Sequence, residues 1–280
     1  MTSSARRQPG GRRGSGPGPF AGATVLLVAT VLLGACGTRA APPPPPVELT
    51  VFAAASLRDV FEDLDRAFEA AYPAIRLALT FDASSTLRAQ IETGASADLF
   101  ASADTANPQR LVEAGLATGP ARPFAANGLA IVTPIDDPAG IADQYDLARP
   151  GVRIVAAGPD VPVTTYAAQL IANLQAYRGA QAGLPDAIER NVVSREDNVR
   201  AVLAKVELGE GDAGIVYVTD ARGDPKVRVV PLPPGVNVRT EYAAVVPKGS
   251  IHPREADTLL GWLVGPDARA IVVAHGFLAP

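Results

Sequence analysis

The sequence predicts an α/β fold built on mostly parallel sheets. Three observations predict it. Strand-like apolar runs alternate with helix-like runs of roughly 10–15 residues. The connections between them are mostly short. Of 280 residues, 48% are hydrophobic, enough to bury a sizeable core.

The elements follow in order. Residues 49–54, LTVFAA, read as a buried strand. Leu57, Val60, Phe61, Leu64, Phe68 and Tyr72 then recur at spacings of 3 and 4, one face of a helix. Residues 75–81 form a second strand, which leads through Ser84-Ser85-Thr86 into a helix carrying Leu87 and Ile91. Residues 97–101 are a third strand. Leu111 and Val112 mark a short helix, which Gly115 ends. Further strands are expected at 129–132, 154–157 and 214–217, with helices at about 164–178 and 198–208 between them. A late strand covers 242–246. A C-terminal helical pair carries Leu259, Leu260, Trp262 and Leu263, then Ile271 and Val272. Tyr72 and Tyr177 are expected to pack into the core, and Trp262 to pack the C-terminal helix. In sheets of this kind ligands bind beyond the carboxyl ends of the strands, where helices begin.

The N-terminus is a separate object. Arg6, Arg7, Arg12 and Arg13 precede an apolar stretch over residues 20–35, and no acidic residue occurs before Cys36. A basic region followed by an apolar one reads as an export signal over residues 1–35. It ends in Leu33-Gly34-Ala35-Cys36, which resembles the bacterial lipobox. That resemblance implies a lipid on Cys36 and attachment of the exported chain to the outer face of the cell membrane. Cys36 is the only cysteine, so the body of the chain holds no disulfide and no thiolate metal site. Residues 36–46 contain five consecutive prolines, Pro42 to Pro46, an extended spacer. No later apolar run approaches the ~20 residues of a membrane span.

Loss of residues 1–35 removes four arginines and no acid, so the basic count falls from 25 to 21 against 29 acids and the net charge moves from −4 to −8. Bulk charge therefore argues against nucleic acid as a partner, and any anion site must be local. Only His252 and His275 are present, and no GxSxG elbow occurs. Neither a transition-metal cluster nor a serine hydrolase is favoured. Asp98 and Asp104 are expected to brace turns.

Four strand-to-helix junctions carry small donors: Ser56; Ser84-Ser85-Thr86; the Val161-Pro162-Val163-Thr164 start; and Asp197-Asn198-Val199-Arg200. Each alone reads as an N-cap. Together they offer several helix N-termini, whose free N–H groups and positive dipole ends suit an anion. Spacing does not say whether they converge.

The ordered motifs resemble those of periplasmic molybdate-binding proteins of ABC importers. They are VFAAASL over 51–57; Ser84-Ser85-Thr86-Leu87 with Gln90-Ile91-Glu92 and Gly94; Ala97-Asp98-Leu99-Phe100 with Ser102-Ala103-Asp104; Val161-Pro162 with Tyr166-Ala167; Asn198-Val199-Arg200; Gly214-Ile215-Val216-Tyr217 with Asp220-Ala221; and Gly276-Phe277. The resemblance covers about residues 47–280. It implies a type II periplasmic-binding fold, two α/β lobes with a hinge and an interlobe cleft. Lobe 1 would comprise residues 47–127 plus 239–280 and lobe 2 residues 128–238, with crossovers near Asn127-Gly128 and Arg239-Thr240. It implies a molybdate site, accepting tungstate too, made by Ser56 and Ser84 through hydroxyl and backbone N–H, by the backbone N–H of Val163 and Val199, and by the phenol of Tyr217. No catalytic residue, resident cofactor or direct protein–metal ligand is implied, and the oxyanion is held through its oxygens. The implied partner is a membrane permease, and the chain acts as a monomer. Asp82 and Thr164 depart from the family pattern. Asp82 is expected to face solvent, and Thr164 to tighten its turn or add a hydroxyl. The competing readings are a binding protein for another tetrahedral oxyanion such as sulfate, a surface hydrolase using Ser56 or Ser84, and a transport-independent sensor.

Overall fold

The computed structural model describes residues 45–177 and 182–280. The export segment, Cys36 and most of the proline spacer lie outside the described residues.

Two five-stranded sheets organise the chain. The first half builds β1 (Val47–Ala54), α1 (Arg58–Ala71), β2 (Ile75–Asp82), α2 (Ser84–Glu92), β3 (Leu99–Ser102), α3 (Ala106–Glu113) and β4 (Arg122–Asn127). Gly115, at φ +70°, follows α3 in the left-handed conformation that ends a helix at little cost to glycine. The middle of the chain builds β5 (Leu129–Pro134), β6 (Ile154–Ala157), α4 (Pro162–Tyr177), α5 (Leu184–Arg190), β7 (Val192–Glu196), α6 (Val199–Glu207), β8 (Ala213–Tyr217), α7 (Val218–Ala221) and β9 (Val227–Val230). The end returns through β10 (Thr240–Val245), α8 (Pro253–Leu263) and α9 (Pro266–Ala274).

The first sheet has the order β2-β1-β3-β10-β4 and the second β7-β6-β8-β5-β9. In the first, β1 runs parallel to β2 and β3, whereas β10 runs antiparallel to β3 and β4. In the second, β6 is parallel to β7 and β8, and β5 is antiparallel to β8 and β9. Both sheets are therefore mixed, and in each four strands run one way and a single strand, β10 in the first and β5 in the second, runs against them. Each reversed strand is the first that the chain forms on entering the other sheet: β4 leaves the first sheet at Asn127 and β5 enters the second at Leu129 with only Gly128 between them.

Burial follows the pleat. Leu49, Val51 and Ala53 of β1 face a core shared with Phe61, Leu64 and Phe68 of α1 and Leu259 and Leu263 of α8. Phe52, one residue out of phase, joins Leu87 and Ile91 of α2, Phe100 of β3, Leu111 of α3 and Val245 of β10. Helices thus cover both faces, and β1 is buried without a break from Val51 to Ala54. In the second sheet α6 lies close against β8. A Cβ on Gly214 would meet Val202 Cγ1 at 2.9 Å and Val206 Cγ2 at 3.1 Å, so only glycine fits that approach.

Three aromatic side chains differ in their burial. Trp262 is half-buried with its ring 5.3 Å from Phe68. Tyr72 and Tyr177 are not core residues: they are 36% and 58% exposed. Tyr72 sits just past the end of α1 and stacks on Phe68, and Tyr177 closes α4, so neither is on a turn that faces a sheet. Among the described residues, no helix is long and apolar enough to cross a membrane.

Candidate functional site

Strands β1 and β2 end, and β3 turns, on the side where the first lobe meets the second. β1 gives way to a 3-10 turn over Ala55–Leu57, which places Ser56 at the junction. β2 ends at Asp82, and Ser84 opens α2. From the other lobe come the start of α4 at Pro162, the start of α6 at Val199 and the end of β8 at Tyr217. Ser56, Ser84, Pro162, Asn198, Val199 and Tyr217 line one small cavity between the lobes, with Ala54, Ala83 and Ala103 completing its floor.

Each predicted donor has a definite environment. Ser56 is 3% exposed and its Oγ lies 3.2 Å from Tyr242 Oη. Asn127 Nδ2 donates in turn to Tyr242 Oη at 3.4 Å and to Thr219 Oγ1 at 2.8 Å. Tyr242 accepts from Asn127, so its own proton can go to Ser56 Oγ, an arrangement that frees the serine proton. Ser84, 1% exposed, accepts the Ala103 N–H at 3.0 Å, which again leaves its O–H to donate. Tyr217 is 1% exposed and its hydroxyl has no hydrogen-bond partner among the described residues. A buried, unpaired hydroxyl costs about 1–3 kcal/mol. Burial, with Tyr242, Tyr166 and two carboxylates nearby, holds the Tyr217 phenol well above its usual range, so it is a neutral donor.

Val199 is the first residue of α6, and its N–H has no carbonyl one turn earlier within the helix. Asn198 caps that helix by accepting the Ala201 N–H at 3.1 Å. Val163 stands differently. Its side chain does not line the shared cavity but an apolar pocket behind α4, with Ile154, Ile171 and Ile215. The α4 start reaches the shared cavity through Val161 and Pro162. Proline has no N–H, so the first free donor of α4 is the Val163 amide.

The two departures from the family pattern resolve locally. Asp82 is half-buried. Its Oδ1 accepts the Ala83 N–H at 2.7 Å and lies 3.5 Å from Asn198 Nδ2 across the cleft. It lines a separate open groove, not the small cavity. Thr164 tightens the turn, its hydroxyl donating to the Gly158 carbonyl at 2.7 Å.

Sequence reasoning missed several residues that build the site. Tyr242 and Asn127 orient Ser56. Asp220 accepts the Tyr217 N–H at 3.1 Å and pairs with Arg200 Nε at 3.0 Å. Burial pushes the Asp220 carboxyl up to about 6, with Arg200 pulling the other way. Burial, aided by Asp104 and Glu241, pushes the phenol of Tyr166, on α4, up to about 12. Arg200 and Asp220 lie inside motifs already singled out, yet nothing in their spacing reveals that they meet. Asp98 and Asp104 do brace turns: Asp98 accepts from Thr50 N and Ser250 Oγ, and Asp104 from Ser102 Oγ and Asn107 N.

A nucleophilic serine would need a base within reach. Ser56 meets a tyrosine and Ser84 a backbone amide. His275 Nε2 is instead held by Asp63 at 2.7 Å. Asp59, Arg66, Arg222 and Thr219 line the open groove around that pair.

Comparison with known proteins agrees with this architecture. The molybdate-binding protein ModA of Mycobacterium tuberculosis is 35% identical over 266 residues, covering 92% of this chain and 96% of that protein. A Bacillus subtilis protein described as a putative ABC transporter substrate-binding lipoprotein, YvgL, is 28% identical, covering 90% of this chain and 95% of its own length. The solved periplasmic molybdate-binding protein of Azotobacter vinelandii superposes with a TM-score of 0.70 at 24% identity, covering 83% of this chain and 99% of its own; it shares the fold. The family of bacterial extracellular solute-binding proteins matches residues 49–278. With two mixed α/β lobes, a cavity between them and that match across nearly the whole described chain, this protein belongs to the bacterial extracellular solute-binding proteins.

Proposed function

We propose that this chain is the extracytoplasmic binding component of an ABC importer that captures molybdate, and tungstate with it. The observation that carries the reading is the make-up of the interlobe cavity. Two serine hydroxyls, a tyrosine hydroxyl without a partner and the starts of α2, α4 and α6 meet there, and among the described residues no lysine, arginine or carboxylate lines it. The name of the Mycobacterium tuberculosis relative points the same way.

The chemistry fits a bare dianion. Molybdate is tetrahedral, doubly negative and free of protons, so donors alone satisfy its four oxygens. Each charge-assisted donor is worth roughly 1.5–3 kcal/mol, and several together offset the desolvation of the anion. Hydrogenphosphate keeps a proton, which a donor-only site leaves unpaired at a cost of about 1–3 kcal/mol. Sulfate has no such proton and is discriminated by size, because fixed donors fit its shorter bonds loosely. Tungstate, nearly the size of molybdate, passes.

In this reading Ser56, Ser84, Val163, Val199 and Tyr217 hold the anion. The lobes of residues 47–127 plus 239–280 and of 128–238 hinge at the two crossovers and close over it. Asn237 suits such a hinge: its side chain holds Leu129 N–H at 3.0 Å and Leu129 O at 2.9 Å, tying one crossover to the other. A lipid on Cys36 tethers the monomer, as the lipoprotein description of the Bacillus subtilis relative supports. The loaded form delivers its anion to a membrane permease and performs no catalysis.

Isothermal titration of the mature domain with molybdate, tungstate, sulfate and phosphate tests the reading. Tight 1:1 binding of the first two and much weaker binding of the others is expected. Sulfate or phosphate binding as tightly as molybdate would overturn it.

A further inference from the structure

The first turn of α6 is gripped from the opposite lobe on both sides of the Val199 donor. Before it, Asn198 Nδ2 lies 3.5 Å from Asp82 Oδ1, two residues ahead of Ser84. After it, Arg200 Nη2 donates to Asp59 Oδ2 at 2.6 Å, three residues beyond Ser56. The Arg200 guanidinium is held on its own lobe by Asp220, 3.0 Å from Nε, whose side chain is fully buried. Asp220 in turn accepts the Tyr217 N–H. One arginine therefore touches the frameworks of Val199 and Tyr217 in lobe 2 and, through Asp59, the helix that follows Ser56 in lobe 1.

We propose that Asp59, by pairing with Arg200 across the cleft, is a positioning residue that sets how long the bound oxyanion is retained. The inference rests on the binding reading above. An exposed ion pair ordinarily contributes little, because two long side chains must be ordered to make it. Here the guanidinium is ordered beforehand by Asp220, and only the short Asp59 side chain, 59% exposed, has to be placed. The pair spans the cleft, so it exists only while the lobes are together. Its whole contribution falls on the closed side of the opening equilibrium. Donors on both lobes hold the anion, so escape requires opening. Asp59 therefore slows release and leaves capture by the open form nearly unchanged. It lines a groove outside the cavity.

The test preloads wild-type, Asp59→Asn and Asp59→Glu proteins with molybdate, chases with excess tungstate, and measures protein-bound molybdenum over time. Release from Asp59→Asn is expected to be about fivefold faster, with an on-rate within twofold of wild type and an unchanged apo melting temperature. Asp59→Glu is expected to restore slow release. The gap between wild type and Asp59→Asn is expected to shrink as salt screens the exposed pair. Equal release rates for wild type and Asp59→Asn, with wild type retaining molybdate, overturn the inference alone. A wild-type protein that retains no molybdate removes the binding reading and the inference together.

Discussion

Tyr217→Phe removes one oxygen from the cavity and keeps the ring. The ring packs edge-on against Tyr242 with centroids 5.5 Å apart, a contact phenylalanine retains. The hydroxyl is buried and has no partner among the described residues, so it weakens the unliganded protein by about 1–3 kcal/mol. The same hydroxyl, donating to a dianion, is worth roughly 1.5–3 kcal/mol in the complex. The substitution therefore acts with opposite signs in the two states. The unliganded variant is expected to melt a few degrees above wild type, and its molybdate affinity to fall by about 60-fold or more, since the two effects add and each 1.4 kcal/mol is a factor of ten. Calorimetric titration and thermal denaturation of the same preparations read both effects. Because burial holds the phenol neutral, the loss of affinity is expected to be the same at pH 7 and pH 9. Unchanged affinity, or an unliganded variant less stable than wild type, would refute the reasoning.

Ser84→Ala is expected to lower both quantities, because it removes a donor and also orphans the buried Ala103 N–H; titration and melting should fall together. Gly214→Ala forces a Cβ to within 2.9 Å of Val202 Cγ1 and should cost about 1–3 kcal/mol in denaturant unfolding, with little change in ligand contacts. Asp65 has its carboxyl pushed up to about 6, chiefly by burial and then by Glu69, with Arg76 opposing. A raised acid destabilises the fold once ionised: the penalty is absent below the unfolded value near 3.8 and fully present above about 6. Asp65→Asn should therefore raise the melting temperature at pH 7.5 and leave it unchanged near pH 3.5.

The sequence revealed the strands that face two ways into a core, and β2 besides, and hid the other strands at the margins. β1, β6, β8 and β10 were legible because apolar runs mark strands covered on both faces. The three strands that escaped, β4, β7 and β9, are all sheet edges. β4 carries Pro123, tolerated only where a strand has a free side, and β7 alternates half-buried and exposed residues with no buried position. The mixed sheet direction was illegible for a related reason: strand direction depends on which strands become neighbours, and periodicity carries no such information. At the site, Ser56, Ser84, Val163, Val199 and Tyr217 could be named only because ordered motifs resemble a known family. Helix-start chemistry alone offers each as a cap. What no local pattern shows is the support behind them: Asn127 on Tyr242, Tyr242 on Ser56, and Arg200 between Asp220 and Asp59. Those contacts join residues up to 186 positions apart in the chain.

The central claim is that uncharged hydroxyls and main-chain amides from both lobes enclose an unprotonated dianion. Diffraction from crystals of the molybdate complex at the molybdenum absorption edge measures this directly. A single anomalous peak is predicted between the lobes, its oxygens in contact with Ser56, Ser84, the amides of Val163 and Val199, and the Tyr217 hydroxyl. A peak elsewhere, or an arginine, lysine or carboxylate side chain touching the anion, would contradict the account.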